Sequence, residues 1–514
     1  MYPREYAVTT PDKPAIIMAR SGRQMSYAEL EASANQAAHL FRKSGLQPGD
    51  RVAFILENRL EIFPFVWGAQ RAGLLYVAVS SHLKPDEILY ILEDSGAKIV
   101  LTSDYMDEAV QESLLRASHK PECYKLDTPR TGFKMWTDAL ARHPNTPIRT
   151  EGLGADMLYS SGTTGRPKGV VPSIDHTLPA DTPSKRVTLF SRLFSFDETV
   201  VYLCPAPLYH AAPLRWTLLI HQVGGTAVVM ERFDAKEALS LIDTHAITHA
   251  LFVPIHFVRM LKLDDDIRAG FDLSSLSVAV HAGAPCAPDT KRAIMNWWGP
   301  IVYEYYAGSE GNGFVASRPE DWLERPGTVG LPVIGQPHIC DDAGEPLPMG
   351  EEGMIYFEGG AQFTYNNDPE KTAKAYNHYG WSTLGDVGHL DQDGYLYLTG
   401  RKNFTIISGG VNIYPQEIEN RIISHPDVRD VAVIGIPDPE YGQRVLAVIE
   451  PVSIEAANQS LAEAIQSHCR ETLSGVKTPR QIDFVATLPR TETGKIRKQS
   501  LIELYENGLP EKDV

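Results

Sequence analysis

Apolar and polar positions change period repeatedly between Asp50 and Asp104. Arg51 to Leu56 reads as a strand, Glu61 to Ala72 as a helix, and Ile99 to Thr102 as a second strand. The segment before that second strand carries helix punctuation. Pro85 suits a first helical position, Asp86 and Glu87 favour the positive end, and Gly96 suits the residue past the last turn. Such alternation predicts a layered α/β architecture with a mostly parallel sheet. Further strands are predicted over Thr226 to Met230, Ser277 to His281 and Ile301 to Tyr305, each running into a loop with Gly, Pro or charged residues. Ligands gather at such carboxyl ends in open α/β sheets.

Near residue 400 the texture changes. Gly385, Gly388, Gly394, Gly400, Gly409 and Gly410 punctuate a stretch with few long apolar runs, which marks a domain boundary. Beyond it the pattern predicts a helix over Gln416 to Ser424, strands over Asp430 to Ile436 and Arg444 to Ile449, a helix near Leu461 to Thr472 and a strand near Ile482 to Ala486. About 110 residues suffice for an independent domain. No internal repeat or low-complexity tract interrupts the chain.

The length of 514 residues favours two or more domains, and 43% hydrophobic with 22% charged residues is ordinary for a soluble globular protein. The net charge of -17 opposes broad attachment to nucleic acid or anionic lipid, so any phosphate site must be local. Met1 to Pro14 lacks the apolar run of a secretory signal, and no stretch approaches the roughly 18 apolar residues of a membrane span. The expectation is a cytoplasmic enzyme without a targeting segment or stable membrane insertion. Cys123, Cys204, Cys286, Cys340 and Cys469 are scattered without a C-x-x-C pair, which fits reduced structural thiols. His245 and His249 stand at metal-compatible spacing, but no third ligand is near in sequence, so zinc is not expected.

The sharpest chemistry lies in Tyr159-Ser-Ser-Gly-Thr-Thr-Gly-Arg-Pro-Lys-Gly-Val170. Glycines let backbone amides approach an anion, hydroxyls donate hydrogen bonds and Lys168 adds a point charge, so a polyphosphate is the natural ligand. The spacing is not that of a Walker loop. The segment resembles the signature Y-[ST]-S-G-[ST]-T-G-x-P-K-G of the AMP-forming adenylating superfamily: acyl-CoA synthetases, luciferases and peptide-synthetase adenylation domains. Within that resemblance, Ser160, Ser161, Gly162, Thr163, Thr164, Gly165 and Lys168 belong to the ATP site, with Thr164 also at the metal.

Further segments resemble the family's motifs in the family's order. Ala282-Gly-Ala-Pro285 is similar to its adenine-side loop, which implies nucleotide roles for Gly283, Ala284 and Pro285. Tyr306-Ala-Gly-Ser-Glu310 resembles Y-G-x-T-E. The resemblance implies that Tyr306 stacks on adenine, Ser309 contacts phosphate and Glu310 holds magnesium. Trp381 to Asp386 resembles W-x-x-T-G-D, with Leu384 in place of threonine, and implies that Asp386 binds the ribose hydroxyls. Arg401 matches the arginine reaching ribose or phosphate. Pro489 to Lys495 resembles P-[RK]-T-x-[ST]-G-K, which makes Lys495 the cation of the adenylation step. Ser408, Gly409 and Gly410 resemble the pantetheine channel. Asn403 falls at the hinge, where aspartate or lysine is usual, and Phe404 replaces another common acidic residue. The family's division implies domains over residues 1–402 and 403–514, a large domain of layered sheets and helices and a small mobile α+β domain.

Pro207 to Pro213 resembles the acyl-pocket segment, and the resemblance implies that His210 gates the thiol. Leu214, Trp216, His256, Gly283 and Tyr305 are placed on the same wall by position, suiting an apolar aliphatic or aryl monocarboxylic acid. The resemblance is closest to fatty-acyl and aryl-CoA synthetases of the 4-coumarate ligase-like group. It implies ATP, Mg2+ and coenzyme A as cofactor and cosubstrates. A free-standing enzyme loading a carrier protein and a non-catalytic nucleotide-binding regulator are the alternatives. Lys495, Glu310 and Asp386 are all present, against the second. The sequence assigns no role to Arg192, Asp197 or Arg215, and no oligomeric state.

Overall fold

The computed structural model describes residues 2–160, 167–174, 182, 184–408, 410–490 and 496–506. The early alternation builds a sheet in the order Lys134–Met135, Glu122–Lys125, Ile99–Thr102, Arg51–Ile55, Leu75–Val79 and Ala155–Asp156, with every neighbour parallel. Arg51–Ile55 and Ile99–Thr102 stand where the apolar runs predict, and the intervening helix is Ile62–Arg71. That helix buries Phe63, Phe65 and Trp67 completely, each contributing roughly 1.5–3 kcal/mol of transfer free energy. It also packs closely on the helix Tyr27–Lys43, where a Cβ on Gly68 would lie 2.5 Å from that of Ala37. The helix Pro85–Ser95 begins at its proline and ends on Gly96, left-handed at φ 60°.

A second sheet runs through thirteen strands. Its parallel part passes from Pro14–Met18 through Thr226–Val229, Val201–Cys204, His249–Phe252 and Val278–His281 to Val302–Ala307. From Phe314–Ser317 onward to Gln336–Cys340 every pairing is antiparallel. The expected mostly parallel sheet therefore describes the first sheet and this first part only. Between Phe314 and Arg401 the described helices are Pro319–Glu324 and Pro369–Lys374, of six residues each, and strands follow strands through turns without long crossovers.

The carboxyl-terminal region forms a smaller sheet of Val411–Ile413, Ile406–Ser408, Gly442–Pro451 and Val428–Asp438, with Gln481–Phe484 added in parallel. Val431 and Val433 face the helices Pro415–Ile423 and Gln459–Arg470, while Ala432 and Ile434 face Leu488 and Leu501. Both faces are covered, which explains the uninterrupted apolar run. Lys262, after the helix Pro254–Leu261, donates to the carbonyl of Val428. Beside this bond lies a cavity of about 230 Å³ lined by Arg259 and Lys262 on one side and Arg429, Asp430, Glu450 and Arg490 on the other. Among the described residues no helix is long and apolar enough to cross a membrane.

Candidate active site

The glycine-rich segment is flanked by two antiparallel strands, Leu158–Ser160 and Lys168–Pro172, in the register Lys168 to Ser160 and Gly169 to Tyr159. Gly169 is required here because a Cβ would meet the Tyr159 ring at 2.9 Å. The Tyr159 hydroxyl donates to Asp94 at 2.6 Å, so this tyrosine anchors the strand to the helix Pro85–Ser95. Ser161, Gly162, Thr163, Thr164 and Gly165 lie outside the described residues, as does the side chain of Ser160.

A third strand, Phe363–Tyr365, pairs with Lys168–Pro172 and brings Tyr365 to the site. The Lys168 ammonium lies 4.7 Å from the centre of the Tyr365 ring, and the Tyr365 hydroxyl donates to Glu310 at 3.1 Å. Burial lowers the pKa of Lys168, as does Lys371, against the opposing pull of Glu310. Tyr365 was not singled out by the sequence: its relation to Glu310 arises across 55 residues of chain.

A second polar group lies within electrostatic reach of Glu310. Asp386 and Arg401 are register partners on the strands Ser382–Leu390 and Leu396–Arg401, and Arg401 Nε donates to Asp386 at 2.8 Å. The Tyr306 hydroxyl donates to the other oxygen of Asp386 at 2.7 Å. The Asp386 charge raises the pKa of Arg401 against burial, while burial and the same carboxylate keep the Tyr306 phenol protonated. Leu384 packs over Gly308, where a Cβ would lie 2.4 Å from its methyl and 2.9 Å from Glu310 Oε2. The leucine thus closes the loop by contact where threonine offers a hydroxyl.

The loop of residues 282–285 follows the strand Val278–His281, with Gly283 at φ 84°. Beneath it Lys291 donates to Glu304 at 2.8 Å and stands over the Trp322 ring, with His281 Nε2 3.3 Å from the same carboxylate. Burial alone would raise the Glu304 pKa, but His281 and Lys291 hold it down at about 2.

His210 caps the helix Ala211–Val223, half-buried, its ring 4.5 Å from that of Tyr209. Leu214, Trp216 and Tyr305 share one core cluster, with Trp216 and Tyr305 stacked at 6.3 Å and Tyr305 stacked on Phe314 at 4.9 Å. Burial lifts the Tyr305 phenol to about 12. His256 stands apart from that cluster, stacked on Phe233 at 3.8 Å. Arg215 leaves the same helix and donates from Nε and Nη2 to Asp156 at 2.9 and 2.6 Å, and from Nη2 to the carbonyl of Ser309 at 3.1 Å. His249 holds Phe194 O and Thr248 Oγ1 with its two ring nitrogens. Burial raises the pKa of each of the five thiols.

Asn403 is exposed in the short 3-10 turn Lys402–Phe404, between the strands Leu396–Arg401 and Ile406–Ser408. Ser408 is buried, and Gly410 is left-handed at φ 81° with open space where a Cβ would stand. Gly409 and Lys495 lie outside the described residues. Arg490, ahead of Lys495, pairs with Asp430.

Two strands flanking a glycine-rich segment, with Lys168 and Glu310 joined through Tyr365 and with Asp386, Arg401 and Tyr306 bonded together, fit a nucleotide-binding α/β enzyme. The chain belongs to the AMP-binding enzyme family, which matches residues 4–364, with the family's C-terminal domain matching residues 417–495. It is 30% identical to the long-chain-fatty-acid–CoA ligase FadD13 of Mycobacterium tuberculosis, over 99% of this chain and 98% of that protein. It is 31% identical to the sulfoacetate–CoA ligase of Cupriavidus necator, over 96% of each. The solved structure of the anthranilate CoA ligase AuaEII with anthranoyl-AMP is similar at a TM-score of 0.85 and 26% identity, covering 98% of this chain and 96% of that one.

Proposed function

We propose that this chain joins a carboxylic acid to coenzyme A in two steps, forming an acyl-adenylate with release of pyrophosphate and then a thioester with release of AMP. The observation that carries this reading is the convergence of Lys168, Tyr365 and Glu310 beside the strands flanking the glycine-rich segment, within electrostatic reach of the bonded group Tyr306, Asp386 and Arg401. Magnesium fits the carboxylate of Glu310, a hard oxygen donor already oriented by Tyr365, with Thr164 as the second residue that would hold it. The ion neutralises phosphate charge when bound. Asp386 and Arg401 then hold the ribose, Tyr306 the adenine beside Gly283, Ala284 and Pro285, and the glycine-rich loop with Ser309 the phosphates.

The substrate carboxylate attacks the α-phosphorus, and pyrophosphate leaves. Lys168 and Lys495 supply positive charge where the phosphoryl oxygens gain it, which favours the transition state over the ground state. In the second step the thiol of coenzyme A attacks the acyl carbonyl and AMP leaves. Ser408, Gly409 and Gly410 admit the pantetheine arm, and His210 gates its approach. Residues 1–402 and 403–514 act as two domains turning at Asn403, which withdraws Lys495 between steps. Leu214, Trp216 and Tyr305 form an apolar, aromatic wall, which supports an aliphatic or aryl acid. The expected use of ATP and coenzyme A supports a cytoplasmic site of action.

Incubation with MgATP, coenzyme A and a panel of aliphatic, aryl and steroid-like acids, followed by mass spectrometry, tests the assignment. Acyl-CoA is expected from at least one acid. An acid that supports pyrophosphate exchange yet yields a thioester only on a carrier protein would overturn coenzyme A as the acceptor.

A further inference from the structure

The guanidinium of Arg215 joins three segments that the reaction needs together. It projects from the helix Ala211–Val223, which begins beside the proposed gate His210. It meets Asp156, three residues ahead of Tyr159 at the phosphate hairpin, and it donates to the carbonyl of Ser309 in the loop that carries Glu310. Asp156 is itself fixed: it lies on the strand Ala155–Asp156, in parallel register with Tyr76, and is only 7% exposed. Burial would raise the pKa of its carboxyl, but Arg215 and Arg186 outweigh that and keep it ionised. The Ser309 carbonyl lies in the peptide plane that also carries the amide of Glu310. A charged donor on that carbonyl sets the plane from behind, while Tyr365 sets the Glu310 carboxylate from in front.

We infer that Arg215, aimed by Asp156, is a positioning residue for MgATP: its fork locks the Ser309–Glu310 peptide in the orientation the nucleotide requires. This rests on the adenylation reading above. A lysine could reach Asp156 or Ser309 as a point charge but could not reproduce the fork. Removing Arg215 alone leaves a buried carboxylate stranded but for the charge of Arg186, so loss of folding must be separated from loss of positioning. The double variant Asp156→Asn with Arg215→Met removes that stranded charge.

The test measures urea midpoints, the dissociation constant of MgATP by calorimetry without acid, and KM and kcat in acid-dependent pyrophosphate exchange. Arg215→Met is expected to lower the urea midpoint, and the double variant to regain it. In both, the MgATP dissociation constant and KM should rise about tenfold or more, the loss of one charge-assisted hydrogen bond, with the KM of the acid within about twofold. Arg215→Lys should recover part of that loss. A double variant that is stable and binds MgATP as the natural protein does would overturn the inference, leaving Arg215 a structural ion pair. Failure of the adenylation reading shows separately, as natural protein that binds MgATP but exchanges no pyrophosphate with any acid.

Discussion

Lys291 and Glu304 form an ion pair with almost no access to water after the strand Val278–His281, with His281 beside them. Glu304 is ionised because His281 and Lys291 outweigh its burial, while burial holds the pKa of His281 itself down. Lys291→Met leaves that carboxylate buried beside a histidine whose own pKa burial holds down, which should cost about 3–5 kcal/mol in urea unfolding. Adding Glu304→Gln should restore most of the loss, and a single variant as stable as the natural protein would contradict the balance. His221 and His256 are also buried, and burial pushes both down to about 3. An unfolded histidine takes a proton below about pH 6.5, so from there down to about 3 the unfolded chain binds more protons than the folded one. Stability should therefore fall as pH falls through that window, by up to about 1.4 kcal/mol per pH unit for each histidine. Urea midpoints between pH 7 and 5 measure this, and His256→Phe, which keeps the stack on Phe233, should flatten the slope. Residues whose partners are local were legible in the sequence: the Tyr159 to Val170 loop, Glu310 and Asp386 each sit in a recognisable spacing. Tyr365, Asp156 and Lys291 were not, because their partners arrive through tertiary pairing, across 59 residues for Asp156 and Arg215.

Among the elements, those whose signals all agreed were read closely. Pro85–Ser95 carries its start, its charge bias and its stop in its own residues, and its ends agree with the punctuation. Ser277 to His281 was read one residue long and Ile301 to Tyr305 ended two residues early, ordinary differences at strand ends. The antiparallel strands from Phe314 to Arg401 escaped because partly exposed strands joined by turns lack the continuous apolar runs of the parallel sheet, and their partners are set by the sheet. Close packing of elements gives its own test. The contact between the helices Tyr27–Lys43 and Ile62–Arg71 leaves no room for a side chain at Gly68. Gly68→Val should cost about 1–3 kcal/mol by overpacking, read as a lower Tm, and an unchanged Tm would refute that contact.

At the scale of the molecule, the bond from Lys262 to Val428 joins the large sheet region to the carboxyl-terminal sheet. Burial lowers the Lys262 ammonium to about 8, against Asp430 and Glu450 and with Arg429. When the two regions separate, the amine regains a pKa near 10.4, so between about pH 8 and 10.4 the docked form has shed a proton that the separated form keeps. Docking should therefore strengthen as pH rises through that window and be independent of pH just below it. Distance between fluorophores on the two regions reports this, and Lys262→Met should abolish the dependence. The proposed domain turn is tested by Lys495→Ala, which should nearly abolish adenylate formation while sparing thioester formation from supplied acyl-adenylate.

The proposed function depends on one reaction, the attack of a carboxylate on ATP. Acid-dependent exchange of labelled pyrophosphate into ATP measures it without coenzyme A, domain rotation or knowledge of the acceptor. The account predicts exchange with at least one aliphatic or aryl acid, none without acid, and near-complete loss in Lys495→Ala. Exchange equally fast with and without acid, or absent across the panel in protein that binds MgATP, would contradict it.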